Sequence, residues 1–337
     1  MPSKLVVVGV TSLYMSVGVE EFPLHYASTK TPVWMRAGVT GSAGHIAKIL
    51  HALGDEIRLC TLASHDPISQ VVRADLANHG LLGRGVIDRG ECSLGIVLVA
   101  PDGSRMGIPY LAGVSTVEYP VETFHREAAG VDLAVLTNAR FVRSLIPLAQ
   151  PLGVPVAVDV HLISTVDDDY NQPWLEVADI VFCSHERLPC APPEWVAHVF
   201  ARYPGCQMVG VGRGSAGCVL GLRDGTLVQV AGLAPRGVVS TAGAGDALFA
   251  SFLHGWLATG NPVRALEAAV LYAGWKIGDS FPAASSLSEA ELDGLQAIHR
   301  VRTSIGRWRS VRGLAPRPDL PAVPAGRGAL PPEDDRA

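Results

Sequence analysis

The sequence predicts an α/β fold, a mostly parallel sheet covered by helices, and three observations carry that prediction. Short apolar runs alternate with helical stretches through much of the 337 residues. Helical stretches stop at glycines, one at Gly54 and another at Gly80, as helix ends favour. Apolar residues make up 48% of the chain and glycine numbers 36, while aromatics are only 6%, a balance that suits buried strands joined by tight turns.

Leu5–Val8 followed by Gly9 reads as a buried first strand ending in a turn. Residues 42–53 read as a helix with Ile46, Ile49, Leu50 and Leu53 on one face. Ile57–Leu62 is the next strand, and 69–79 the next helix. Leu94–Val99 and Met106–Leu111 flank Pro101-Asp102-Gly103-Ser104, and Asp-Gly supplies the turn that joins antiparallel strands. Further on come the apolar runs Leu133–Leu136, Val154–Val158, Asp179–Cys183, Met208–Val211 and Cys218–Leu222, read together as strands of a parallel sheet. Residues 247–258 and 262–277 read as two long apolar helices. From Gly313 onward Pro, Arg and Gly recur with little to bury, so 313–337 is expected to be a disordered tail behind a single domain over 1–312.

Charge and cysteine usage narrow the function. Lys and Arg total 27 against 32 Asp and Glu, a net charge of −5, which gives no footprint for nucleic acid or an anionic membrane. Six cysteines form no C-x-x-C pair, and no apolar stretch approaches the length of a membrane span. Leu5–Val8 is too short an apolar run for a secretory signal, so a cytoplasmic protein with reduced thiols is expected.

The chemistry concentrates in Ser240-Thr241-Ala242-Gly243-Ala244-Gly245-Asp246, which opens an apolar helix. Such a loop leaves backbone N–H groups unpaired at the positive end of the helix dipole, forming an anion site. Asp246 is placed either to cap the helix or to take a proton from an attacking hydroxyl. A dinucleotide fingerprint would need a glycine where Leu248 stands, and the chain has no Gly-Lys-Ser/Thr of a Walker A loop.

In these residues the chain resembles the ribokinase-like (PfkB) carbohydrate kinase family, over roughly 4–295. The family signature D-T-x-G-A-G-D is followed by Thr241, Gly243, Ala244, Gly245 and Asp246. The turn into a helix at Gly41-Ser42, the Ala63-Ser64-His65-Asp66 turn and the Asp102-Gly103-Ser104-Arg105 hairpin agree in order with other family segments. So do the Arg213-Gly214-Ser215-Ala216-Gly217 turn and Lys276-Ile277-Gly278. The resemblance implies a three-layer α/β/α sandwich with a small β-sheet lid from about 11–37 and 92–112. It implies ATP and Mg²⁺, amides of Gly243, Ala244 and Gly245 around the transferring phosphoryl group, and Asp246 as base. Nucleotide contacts would come from Arg213, Gly214, Gly217, Thr241 and Gly278, and substrate contacts from Tyr14, Gly41, Ser42, His45 and Asp159. A homodimer through the lid is the implied assembly.

The departures from the family pattern are as specific. Tyr14 stands where members often carry a sugar-binding Asp, and either stacks on a ring of the substrate or packs on neighbours within the lid. His45 stands for an Asn, either donating to a substrate hydroxyl or simply buried. Ser240 replaces the first Asp of the signature, which in relatives helps hold a monovalent cation, so that cation is in question here. The N-x-x-E metal motif becomes Ser184 to Arg187, leaving Glu186 as the nearest carboxylate, either a substitute metal contact or a solvated residue. Asp159 is expected at a strand end, facing substrate or metal-bound water or capping a loop. The expectation is an ATP-dependent kinase of a sugar derivative or nucleoside. The alternative is a non-catalytic binding or regulatory protein on a kinase scaffold.

Overall fold

A computed structural model describes residues 2–308. The tail expected over 313–337, and the end of the expected domain at 309–312, lie outside the described residues.

The strands are β1 (Lys4–Val8), β2 (Ser12–Gly18), β3 (Trp34–Thr40), β4 (Glu56–Leu62), β5 (Val86–Ile87), β6 (Ser93–Val99) and β7 (Arg105–Tyr110). They continue as β8 (Leu133–Thr137), β9 (Val156–Leu162), β10 (Ile180–Ser184), β11 (Met208–Gly212), β12 (Cys218–Leu222), β13 (Thr226–Val230) and β14 (Thr303–Arg307). The helices are α1 (Ser42–Ala52), α2 (Pro67–Asn78), α3 (Ala112–Ser115), α4 (Val121–Ala128) and α5 (Ile146–Ala149). After them come α6 (Gln172–Val177), α7 (Pro192–Arg202), α8 (Ala244–Thr259), α9 (Pro262–Lys276) and α10 (Glu289–Ile298).

A 10-stranded sheet runs β14-β13-β12-β11-β10-β9-β8-β1-β4-β5. From β5 to β11 neighbouring strands are parallel. The alternation of the pleat is plain in β1. Leu5 and Val7 join the layer built on α1, α8 and α9, while Val6 and Val8 join the layer that holds Phe124, Trp174, Trp195 and Phe200. Both sides of the sheet are therefore covered, which is why its parallel strands read as unbroken apolar runs.

The end of the sheet departs from the expectation. β12 pairs antiparallel with β11, and β13 and β14 continue antiparallel. The turn at 213–217 is far too short for the crossover that a parallel pair needs, so Met208–Gly212 and Cys218–Leu222 form a hairpin. Gly217 adopts φ 86, and a Cβ there would collide with the Val230 carbonyl.

The second sheet has the order β3-β2-β6-β7 and forms the lid. β2–β3 and β6–β7 are antiparallel, and β2–β6 is parallel. It reaches to Thr40, three residues beyond the expected boundary at 37. Asp66 caps α2 beneath it, accepting from the amides of Ile68 at 2.9 Å and Ser69 at 3.0 Å. Asp66 also accepts from the Ser64 and Ser69 hydroxyls, and from the Cys92 amide at the foot of β6 at 3.4 Å.

Candidate active site

The loop 240–246 follows β13 and turns directly into α8. Gly243 takes the N-cap position at φ 78, a left-handed conformation that favours glycine. Asp246 is thus not the cap; it lies in the first helical turn, where the helix dipole favours a carboxylate. The amide of Ala244 is turned inward to the Thr241 carbonyl at 3.3 Å, so it departs from its expected place among the free donors. Among the described residues the amides of Gly243, Gly245 and Asp246 meet no acceptor. A Cβ on Gly245 would have nothing within 4 Å, so the mouth of the loop is open. Ser240 is buried, and its hydroxyl accepts the Ala242 amide at 3.3 Å, shaping the loop from inside. Thr241 reaches the other way, to the tip of the β6–β7 hairpin.

Asp246 sits in a cluster assembled from distant segments. His45, fully buried in the first turn of α1, places Nδ1 3.4 Å from Asp246 Oδ2. Oδ1 of Asp246 is buried and has no partner. Asp159, His161 and Asp246 bring one potential ligand atom each within 4.8 Å of one another. Asp159 lies within β9 and not at its end, because the strand continues to Leu162 past a register shift opposite Phe182 and Ser184. His161 has φ 54, rare for a residue with a side chain, and its amide donates to Asp159 Oδ1 at 2.8 Å. Burial pushes the Asp159 carboxyl up from its ordinary value, His161 pulls it back in part, and the charge of Asp246 raises it again. The two carboxylates are thus coupled, each raising the cost of charge on the other.

His161 was not among the expected site residues. Residues two apart on a regular strand share a face, but β9 is irregular between Asp159 and Leu162, so the Asp159-x-His161 spacing did not reveal it.

Tyr14 projects from β2 on the lid. A Cβ on Gly95 would run into its ring, so that glycine lets the phenol lie flat on the sheet. Burial raises the Tyr14 hydroxyl, and the Asp246 charge adds to the shift. Gly18 makes the same room for Trp34, and a Cβ on Gly38 would stand 2.7 Å from Phe281 Cε1. Gly41 caps α1 at φ 86, where a Cβ would stand 2.6 Å from the Val10 carbonyl oxygen, and Ser42 begins the helix.

The expected nucleotide residues fall into three places. Arg213, Gly214 and Gly217 form the β11–β12 turn, and Arg213 spends its guanidinium on the Ala216 carbonyl at 2.9 Å and on Gln229 at 3.5 Å. Gly212, just before that turn, abuts Leu248 of α8, which sets the turn near the start of that helix. Thr241 belongs to the loop itself. Gly278 follows α9 beneath Arg236, whose guanidinium stacks 3.9 Å from the centre of the Trp275 ring and pairs with Asp279 at 2.9 Å. Asp279 also binds the ammonium of Lys276, a side chain with no exposure, at 2.7 Å. Glu186 is exposed on a short turn, His185–Arg187, and is not part of the Asp159, His161 and Asp246 group.

The chain matches the pfkB family carbohydrate kinase over residues 2–289. It is 28% identical over 256 residues to an ATP-dependent ribose-1-phosphate kinase of Halopiger xanaduensis, covering 74% of this chain and 84% of that protein. It is 28% identical over 257 residues to an acarbose 7(IV)-phosphotransferase of an Actinoplanes species, covering 73% and 82% respectively. Among solved structures a microbiome-derived acarbose kinase shares the fold with a TM-score of 0.79, at 22% identity over 88% of this chain and 100% of that one. With its glycine loop opening α8, its carboxylate one turn in and its β-sheet lid above them, the chain belongs to the pfkB family of carbohydrate kinases, phosphotransferases that act on an alcohol group.

Proposed function

We propose that the chain transfers the γ-phosphoryl group of ATP to a hydroxyl of a sugar derivative or nucleoside bound between the lid and the sheet. The observation that carries this reading is the pairing of free amides at 243, 245 and 246 with a carboxylate on the same helical turn, one of whose oxygens is buried without a partner. Asp246 takes the hydroxyl proton while the alcohol oxygen attacks in line. The amides stabilise the charge on the moving phosphoryl group, and the loss of one comparable donor costs about 3–4 kcal/mol in other enzymes. Asp159, whose carboxylate lies beside Asp246, borders the acceptor side of the site. The 213–217 turn, Thr241 and Gly278 border the nucleotide, while Tyr14, Gly41 and Ser42 border the acceptor.

The donor set suits a divalent ion. Asp159 presents a carboxylate within reach of the site, and Mg²⁺ prefers oxygen ligands. Bound with the nucleotide, Mg²⁺ neutralises charge on the phosphates. Ser240 offers a hydroxyl already used by the loop, which supports turnover without a monovalent cation. The relatives that act on ribose 1-phosphate and acarbose favour a sugar derivative over a plain hexose or pentose.

The lid's outer face supports a homodimer. Leu94, Met106, Ile108, Tyr110 and Met15 are large apolar side chains exposed together, in cross-strand register, and a second copy of the same face would cover them. Unpaired thiols, five of the six buried, support a reducing, cytoplasmic setting. No helix among the described residues is long and apolar enough to cross a membrane.

An ADP-release assay with ribose 1-phosphate, acarbose, ribose, fructose and nucleosides tests the reading. Asp246→Asn is expected to keep ATP binding by calorimetry and to lose turnover by roughly 10²–10⁴-fold. Turnover within about threefold of wild type would remove Asp246 as the base. Nucleotide binding with no transfer to any acceptor would favour a binding protein on this scaffold. A monomer in sedimentation at micromolar concentration would remove the lid dimer.

A further inference from the structure

The imidazole of His45 has a single polar neighbour. Its Nδ1 lies 3.4 Å from Asp246 Oδ2, its Nε2 is buried with no partner, and the side chain has no exposure. Asp246 is equally one-sided, with Oδ2 on His45 and Oδ1 free. The arrangement is built from two helices, since α1 carries His45 and packs on α8, which carries Asp246. It also depends on Gly243: a Cβ there would stand 2.6 Å from His45 Cε1 and 2.9 Å from Nδ1. The ring therefore lies directly against Gly243, the N-cap of α8 and one of the free amides.

A carboxylate accepts and cannot donate, so the nitrogen facing Oδ2 must carry the hydrogen for the contact to be attractive. That assigns a hydrogen to Nδ1. A separation of 3.4 Å is long for such a bond, and bonds of this kind tighten when an active site fills. A flexible carboxylate has two equivalent oxygens, and a donor fixed on one of them decides which way the other points.

We propose that His45 is a positioning residue for the base: by donating Nδ1–H to Oδ2 it fixes the Asp246 carboxylate so that Oδ1 receives the proton of the substrate hydroxyl. This rests on Asp246 being the base. It also gives His45 a different task from the expected one, since its ring nitrogen serves the enzyme's carboxylate and not the substrate.

Two measurements test it. In protein labelled with ¹⁵N-histidine, long-range ¹⁵N–¹H spectra read the tautomer of each ring, and the His45 signals are those that vanish in His45→Leu. Protonation at Nδ1 is the expected result, and protonation at Nε2 alone overturns the proposal. The second is kinetic, following ADP release with the best acceptor of the panel and, where none reacts, with water as acceptor. His45→Leu removes the donor and is expected to lower kcat on the order of 10²-fold while leaving KM for ATP in place. His45→Asn restores an N–H near the same point and is expected to recover most of that loss. A role in substrate contact instead raises the acceptor KM with kcat held, and that result overturns the proposal, as does failure of Asn to do better than Leu when both variants retain the wild-type melting temperature. Should His45→Leu misfold, His45→Asn assigns the ring signals in its place, and the tautomer decides. Asp246→Asn run alongside separates the two claims: if it turns over normally the base is wrongly assigned, whereas an inactive Asp246→Asn with a fully active His45→Leu removes only the role of His45.

Discussion

The hydroxyl of Thr241 donates to the carbonyl of Gly103 at 3.1 Å, so the loop that opens α8 holds the tip of the lid hairpin. Gly103 is in a left-handed conformation at φ 80, and a Cβ there would stand 2.6 Å from Val238 Cγ1, so the hairpin tip sits tightly on the segment leading to the loop. Lid position and loop shape are thereby linked through one side chain. Thr241→Val keeps the shape and removes the donor, which costs about 0.5–1.5 kcal/mol in a typical case. We expect kcat/KM to fall by roughly two- to tenfold, with little change in melting temperature. An unchanged kcat/KM would show that the contact does not contribute to turnover.

Gly243 and Gly245 offer a contrast within one loop. Gly243 has φ 78 and no room for a Cβ beside His45 and Pro282, whereas Gly245 has open space. Gly243→Ala is expected to distort the amides and lower turnover on the order of 10²-fold or more. Gly245→Ala is expected to fold as wild type, so a loss of activity there reports crowding of the nucleotide. Equal melting temperatures and equal turnover for the Gly243 variant and wild type would contradict the loop geometry.

Asp66 links α2 to the foot of the lid. Burial acts to raise its carboxyl, but hydrogen bonds from Ser69, Ser64 and Cys92 outweigh it and hold the value at about 2, below the ordinary 3.8. A depressed carboxyl stabilises the fold above its unfolded value, and the contribution fades as pH falls from 3.8 toward about 2. Urea unfolding across that range should show wild type losing stability that Asp66→Asn never had. Parallel pH curves for the two proteins would refute this.

Lys276 is fully enclosed, bound to Asp279 at 2.7 Å and to the Ser285 carbonyl at 2.9 Å. Burial lowers its ammonium, while Asp279 acts to hold the charge. Removing one partner of a buried pair costs about 3–5 kcal/mol, and Arg236, which still reaches Asp279, should keep Lys276→Met near the lower figure. Chemical denaturation measures it, and a variant as stable as wild type would mean that the pair contributes nothing net.

The parts of this molecule that are legible in its sequence are the local ones. Gly243 to Asp246 stands out because small residues open an apolar helix, and the β6–β7 hairpin because Asp102-Gly103 leaves the chain one compact turn. The parallel strands announce themselves by runs such as Leu5–Val8. The antiparallel end was readable only from the shortness of the 213–217 turn, and β14 pairs with β13 across some seventy residues that give no local sign of it. His161 was hidden because its place in the site depends on a register shift that carries β9 past Asp159. The contact between His45 and Asp246 joins residues 201 positions apart, a distance no spacing rule spans.

Gly95 beneath Tyr14, Gly18 beneath Trp34 and Gly38 beside Phe281 have a consequence for how the protein can diversify. Three bulky rings rest on bare backbone in the lid and its surroundings, while Asp246, Asp159 and His45 stand on α8, β9 and α1. On the proposed function, in which Tyr14 borders the acceptor, exchanging its ring alters the contour offered to a guest molecule while the cluster on the three other elements keeps its own backbone support. Selection therefore has a way to retune what the enzyme accepts while its chemistry stays untouched.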